Sequence, residues 1–109
     1  PVAPVPSDIL DAARADEADA LRGLGEIRRR QLRYTEAIER FRAAIAANPS
    51  DVAARVGLAQ SLRSQSNFAQ ALAETGRALA VEPASIPARV IRAQLLADTG
   101  NLEGAKSEL

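Results

Sequence analysis

The chain has 109 residues, 14 basic and 14 acidic, with no cysteine and no histidine. That length suits one domain or a short array of stacked units sharing a core, not two independent domains. Zero net charge argues against whole-surface attraction to nucleic acid or anionic lipid, and the missing cysteine and histidine exclude disulfides, thiolate nucleophiles, soft metal sites and the commonest general base.

In chain order, residues 1–6 carry Pro at positions 1, 4 and 6, a composition that favours extended polyproline backbone and reads as a linker. Ser7 or Asp8 suits a helix N-cap before Ile9, Leu10, Ala12 and Ala13, so residues 7–15 form either a short capping helix or an acidic lead. Charge is uneven here. Residues 1–17 have one Arg against Asp8, Asp11, Asp16 and Glu17, net −3, whereas residues 18–49 are net +3. The acidic lead, or that of a neighbouring molecule, is one candidate to lie against the arginines that follow and imitate an acidic ligand; a cap is the alternative. From there the alanine-rich sequence favours helix, and nothing alternates as a strand would.

The turns recur at a fixed interval. Pro49 and Pro83 are 34 residues apart, and the same step links Tyr34, Phe68 and Leu102, then Ala37, Ala71 and Ala105, then Leu24 and Leu58, then Gly25, Ala59 and Ala93. Agreement of several registers marks an array of helical hairpins. The first unit, residues 16–49, is expected to hold helices over about 16–32 and 35–47, the second ending before Pro49. In the second, residues 50–83, helices are expected over about 51–65 and 68–81, with Asn67 and Gln70 placed as a capping box. The third, residues 84–109, is expected to begin with Ser85 as cap and Pro87 in the first turn, to run to about residue 99, and to start a second helix after Gly100-Asn101 that stops at Leu109. Apolar residues three and four apart, such as Ala37, Ile38, Phe41, Ala44 and Ile45, give each helix one stripe that only stacking against a neighbour can bury. The ring at Tyr34 or Phe68 is expected to plug the gap between adjacent helices.

These registers resemble the tetratricopeptide repeat family. Leu21, Leu24, Gly25, Tyr34, Ala37, Phe41, Ala44 and Pro49 match its pattern in the first unit, and Leu58, Ala59, Leu62, Phe68, Ala71, Ala78 and Pro83 in the second. Arg28, Arg55, Arg89 and Arg92 depart from it at large apolar positions and Thr75 at an aromatic one, which predicts looser packing there. The resemblance implies an all-α, right-handed α-solenoid of stacked helix-turn-helix repeats whose concave face, lined by the first helix of each repeat, holds a peptide. Carried onto this chain, that groove is lined by Arg22, Glu26, Arg29, Arg30, Val56, Gln60, Arg63, Val90, Gln94 and Ala97. Several arginines with two amides suit an acidic peptide, because a guanidinium pairs carboxylates in bidentate fashion; the competing reading is a solvated charge run with Arg22/Glu26 and Glu26/Arg30 pairs four apart. The carboxylate clamp of chaperone-binding members falls on Arg22, Glu26, Gln60, Pro87 and Ile91, where Glu26 repels a carboxylate and Pro87 and Ile91 offer no charge.

The function expected is therefore an adaptor or scaffold that binds a protein or peptide, with no cofactor and no metal. Self-association through the apolar face of Val90, Leu95 and Leu96, or service as a regulatory arm of an enzyme domain outside residues 1–109, are the alternatives. Catalysis by this chain is not expected: the carboxylate pairs Glu36/Glu39 and Asp16/Asp19 sit at expected helix starts, where they favour the dipole, and Gly23 and Gly25 form no phosphate loop. Arginine without interleaved aromatics gives no single-strand nucleic-acid signal. No apolar run is long enough to span a bilayer and no signal peptide is visible, and the arginine and alanine bias is of the kind found in GC-rich bacteria; the sequence leaves the compartment open between a bacterial cytoplasm, a periplasm and a piece of a secreted protein.

Overall fold

The computed structural model describes residues 3–108; Pro1, Val2 and Leu109 lie outside the described residues, and with them the linker expectation for residues 1–2 and the stop at 109. Six helices follow one another: α1 (Ser7–Arg30), α2 (Tyr34–Ala47), α3 (Val52–Ser64), α4 (Phe68–Val81), α5 (Ile86–Asp98) and α6 (Leu102–Ser107). Among the described residues there is no strand, and the helices form the right-handed solenoid of hairpins α1/α2, α3/α4 and α5/α6. The first helices of successive hairpins touch, α1 against α3 and α3 against α5, and each second helix packs on the next first helix, α2 on α3 and α4 on α5. The backbones of the second helices α2 and α4 do not approach each other, which leaves a cleft between them on the outer side of the stack.

The turn inside each hairpin is the same device three times. Leu32, Ser66 and Gly100 have φ of 62°, 60° and 85°. In each, the residue after it donates its N–H five residues back, Arg33 to Arg28, Asn67 to Leu62 and Asn101 to Leu96, while the positive-φ residue donates to Arg29, Arg63 or Ala97. This is a Schellman end, which consumes the carbonyls that a terminating helix leaves free. Only Gly100 adopts that backbone without a Cβ penalty. Between hairpins, Asn48-Pro49 and Glu82-Pro83 stop α2 and α4, and Asp51 and Ser85, one repeat apart, each cap the next helix by accepting from the N–H of Ala54 (3.0 Å) and Ala88 (3.3 Å).

The core runs along the hairpins from Ala37 to Leu95, with Phe41, Leu58 and Leu95 its largest fully buried side chains. Phe41 supplies the plug expected of Tyr34 or Phe68: its ring lies over Gly25 and Gly57, and a Cβ at Gly57 would fall 2.4 Å from it. Phe68 packs against the core only in part. One repeat on, Thr75 replaces the ring and Ile91 replaces Gly57, a small-for-large exchange that conserves volume. Thr75 is fully buried, and its hydroxyl is satisfied within its own helix by donating to the Leu72 carbonyl at 2.7 Å.

Three further expectations are corrected. Neither Ser7 nor Asp8 caps α1; Pro6, in polyproline backbone, holds the N-cap place and accepts the N–H groups of Ile9 and Leu10 through its carbonyl. Residues 7–15 are not a separate element, because no Pro or Gly interrupts the run from Ser7 to Arg22 and α1 passes through Asp16 unbroken. A lead continuous with α1 cannot fold back onto the arginines of the same helix, which removes mimicry within one molecule. Asn67 sits at the N-cap of α4 but its side chain makes no capping hydrogen bond.

Candidate functional site

The inner face of α1, α3 and α5 encloses a groove of about 590 Å³ lined by Glu26, Arg29, Val52, Ala53, Val56, Gln60, Glu82, Ala84, Ser85, Ile86 and Pro87. Four of the residues expected to line a groove, Glu26, Arg29, Val56 and Gln60, are brought together there. Its apolar lining comes from Val52 and Val56 on α3 and from Ile86 and Pro87 at the start of α5, of which Ile86 stands 73% exposed. Sequence reasoning missed the rim made by the α4–α5 turn. A signal was present, since Val52 and Ala53 stand one repeat before Ile86 and Pro87.

The remaining expected residues lie elsewhere on the same side. Arg22 is drawn to the start of α3, where one Nη donates to both carboxylate oxygens of the buried Asp51 at 3.0 and 3.1 Å, and a second contact reaches Asp19 at 3.2 Å. Arg63 pairs with Asp98 and also donates to Gln94 at 3.3 Å, tying α3 to α5. Val90 is 39% exposed and Ala97 is exposed, and neither lines the groove. Arg30 is exposed and has no ion-pair partner among the described residues.

Electrostatically, most of the expected guanidiniums are already occupied. Arg29 contacts Glu26 at 2.7 Å, and the Arg63 pairing holds the Asp98 carboxyl below its ordinary value through a hydrogen bond, while burial works weakly the other way. Within the groove Arg29 faces two carboxylates, Glu26 and Glu82, so its wall is slightly acidic. Arg29 is the one cation among these lining residues, and its Nη2 is engaged by Glu26. No group of three metal-ligating side chains exists among the described residues, and no described helix is long and apolar enough to cross a membrane.

A family model described as tetratricopeptide repeat matches residues 8–51, 23–85 and 56–108. No curated protein matches the sequence. Among solved structures, the second repeat domain of Spaghetti (RPAP3), bound to the HSP90 peptide SRMEEVD, superposes with a TM-score of 0.85 at 18% identity, covering 90% of each chain. The first such domain of human RPAP3 gives 0.82 at 24% identity, covering 84% of this chain and 72% of that one. The Yersinia enterocolitica type III secretion chaperone SycD, in complex with a peptide of the translocator YopD, gives 0.80 at 18% identity, covering 85% and 71%.

Proposed function

This chain belongs to the tetratricopeptide repeat family, and we propose that it is a protein-interaction module whose inner groove holds an extended peptide segment of a partner. Two structural neighbours of the same fold are complexes with peptides, which supports the class of ligand. The observation that carries the finer reading is the pairing of Arg22, Arg29 and Arg63 with Asp51, Glu26 and Asp98 beside an apolar lining of Val52, Val56, Ile86 and Pro87. Such a groove selects a segment with one or two apolar side chains and little negative charge, with the Gln60 amide and the carboxylates of Glu26 and Glu82 to meet backbone or basic groups. It departs from an acid-reading groove and lacks the charges of a carboxylate clamp, since Pro87 and Ile91 carry none.

Peptide display against the whole chain, followed by anisotropy with the selected sequences, tests this. Enriched peptides are expected to be apolar and uncharged or basic. Ala53→Arg, which sets a long cation into the groove from an exposed α3 position, is expected to weaken them about tenfold or more, roughly 1.4 kcal/mol. Its circular-dichroism melt should match that of the parent. Enrichment of acidic peptides that ignore Ala53→Arg would refute the reading.

A further inference from the structure

The outer side of the stack carries a second groove that the peptide-binding reading does not use. It has a volume of about 430 Å³ and lies over α3 between α2 and α4, whose backbones do not approach each other. Ile45, Leu58, Leu62 and Ala73 give it an apolar floor, and Arg42, Arg55, Gln70, Glu74 and Arg77 stand around it.

Two guanidiniums here share one carboxylate and a third has none. Arg55 reaches Glu74 at 3.2 Å and Arg77 reaches it at 2.6 Å, while Arg42 makes only a marginal 3.5 Å contact to the amide of Gln70 across the cleft. Arg55 occupies the register of Leu21, so a cation stands where the first repeat has an apolar side chain. It is held largely out of water, with 14% of its side chain exposed, and its Nε–H is buried without a hydrogen-bond partner. A buried donor left unpaired has a free-energy cost, and a positive surplus beside apolar wall raises the gain from an arriving carboxylate above that of a fully solvated pair. Arg29 in the inner groove also has a buried unpaired Nε, but it stands beside two carboxylates, Glu26 and Glu82, whereas this cleft sets three arginines around the single carboxylate of Glu74.

We infer that the outer cleft between α2 and α4 is a second docking surface, one that takes an acidic side chain next to an apolar one from a partner protein. The apolar residue rests on Leu58 and Leu62, and the carboxylate is shared by Arg42 and Arg77 with Arg55 behind them. Glu74 at the centre disfavours a multiply charged phosphate, and the apolar floor gives such an ion nothing to bury. With the inner groove slightly acidic and the outer cleft basic, the two faces discriminate between different segments.

The test is an NMR titration of the whole chain that follows backbone amides and arginine Nε–Hε signals. The probe is acetyl-Glu-Leu-Glu-amide, with acetyl-Gln-Leu-Gln-amide and inorganic phosphate as comparisons, each taken to about 20 mM to reach millimolar affinities. Saturable shifts at the Arg55 Nε–Hε and at α2 and α4 amides are expected for the acidic probe, at least about fivefold weaker for the amide probe. They are expected to vanish in the double variant Arg42→Gln, Arg77→Gln, which alters only exposed side chains. Absence of saturable shifts, equal response to the uncharged probe, persistence in the double variant, or the same shifts with phosphate would each overturn the inference, the last by reducing the cleft to a simple anion site.

Discussion

A Cβ added at Gly57 would fall 2.4 Å from two ring carbons of Phe41, whereas one added at Gly23, a full repeat earlier, meets nothing within 4 Å. Both residues lie inside helices, where alanine is preferred over glycine by about 1 kcal/mol. Gly23→Ala is therefore expected to stabilise the chain by about that amount. In Gly57→Ala the same gain is opposed by overpacking of about 1–3 kcal/mol, because Phe41 is fully buried and held on its other side by Gly25. A net loss of up to about 2 kcal/mol is expected. Urea melts of the two variants decide the matter, and equal shifts in one direction would show that the ring does not fix the spacing of α1, α2 and α3. The opposite signs at one register position also show what periodicity cannot convey: repeat units share a pattern, while each position's neighbours depend on what is stacked against it.

At the scale of helices, α3 and α5 are joined across the inner face by the Arg63–Asp98 pair. Asp98 has a folded-state value below the ordinary carboxylate value of 3.8, set first by its hydrogen bond from Arg63. Its contribution is therefore complete above the unfolded value and disappears as pH falls through the lowered one. Asp98→Asn is expected to lower the melting temperature slightly at pH 7, in keeping with at most about 1 kcal/mol for a pair this exposed, and to make no difference once the pH is well below the lowered Asp98 value. A gap between the two melting curves that persists in acid would mean that the asparagine perturbs something other than charge. This pair also marks the limit of what was readable in advance. Helix order and turn positions were legible because Pro49, Pro83 and the aligned apolar residues repeat at one interval, and four groove residues followed from the same register. The pairing of Arg22 with Asp51 and of Arg63 with Asp98 was not, since it depends on how far each helix is rotated toward its neighbour, which no local spacing encodes. Of the arginines expected along the groove, Arg22, Arg29 and Arg63 are paired within the fold and Arg30, among the described residues, is not.

The whole molecule measures 61 × 29 × 17 Å, with a radius of gyration of 15.6 Å against about 13 Å for a compact chain of this length. Elongation follows from connectivity in which each hairpin touches only its neighbours, so stability is distributed along the stack rather than pooled in one centre. Helix α3 contacts α1, α2, α4 and α5, whereas α6 contacts only α5, and residues 7–15 of α1 are exposed throughout. Opening α3 breaks both inter-repeat interfaces at once; opening α6 or the first turns of α1 breaks at most one. Amide hydrogen exchange under native conditions is therefore expected to be graded. The slowest amides should lie in α3 around Leu58 and Leu62 and approach the free energy of global unfolding. Those of residues 7–15 and of α6 should exchange through local openings that cost at least about 2 kcal/mol less. Binding at the inner groove, which is lined by α1, α3, the α4–α5 turn and the start of α5, should raise protection at Ile86–Val90 while leaving α6 unchanged. Uniform protection from α1 to α6 would contradict the nearest-neighbour picture, because it would require the six helices to unfold as one unit even though α6 shares no surface with α1, α2 or α3.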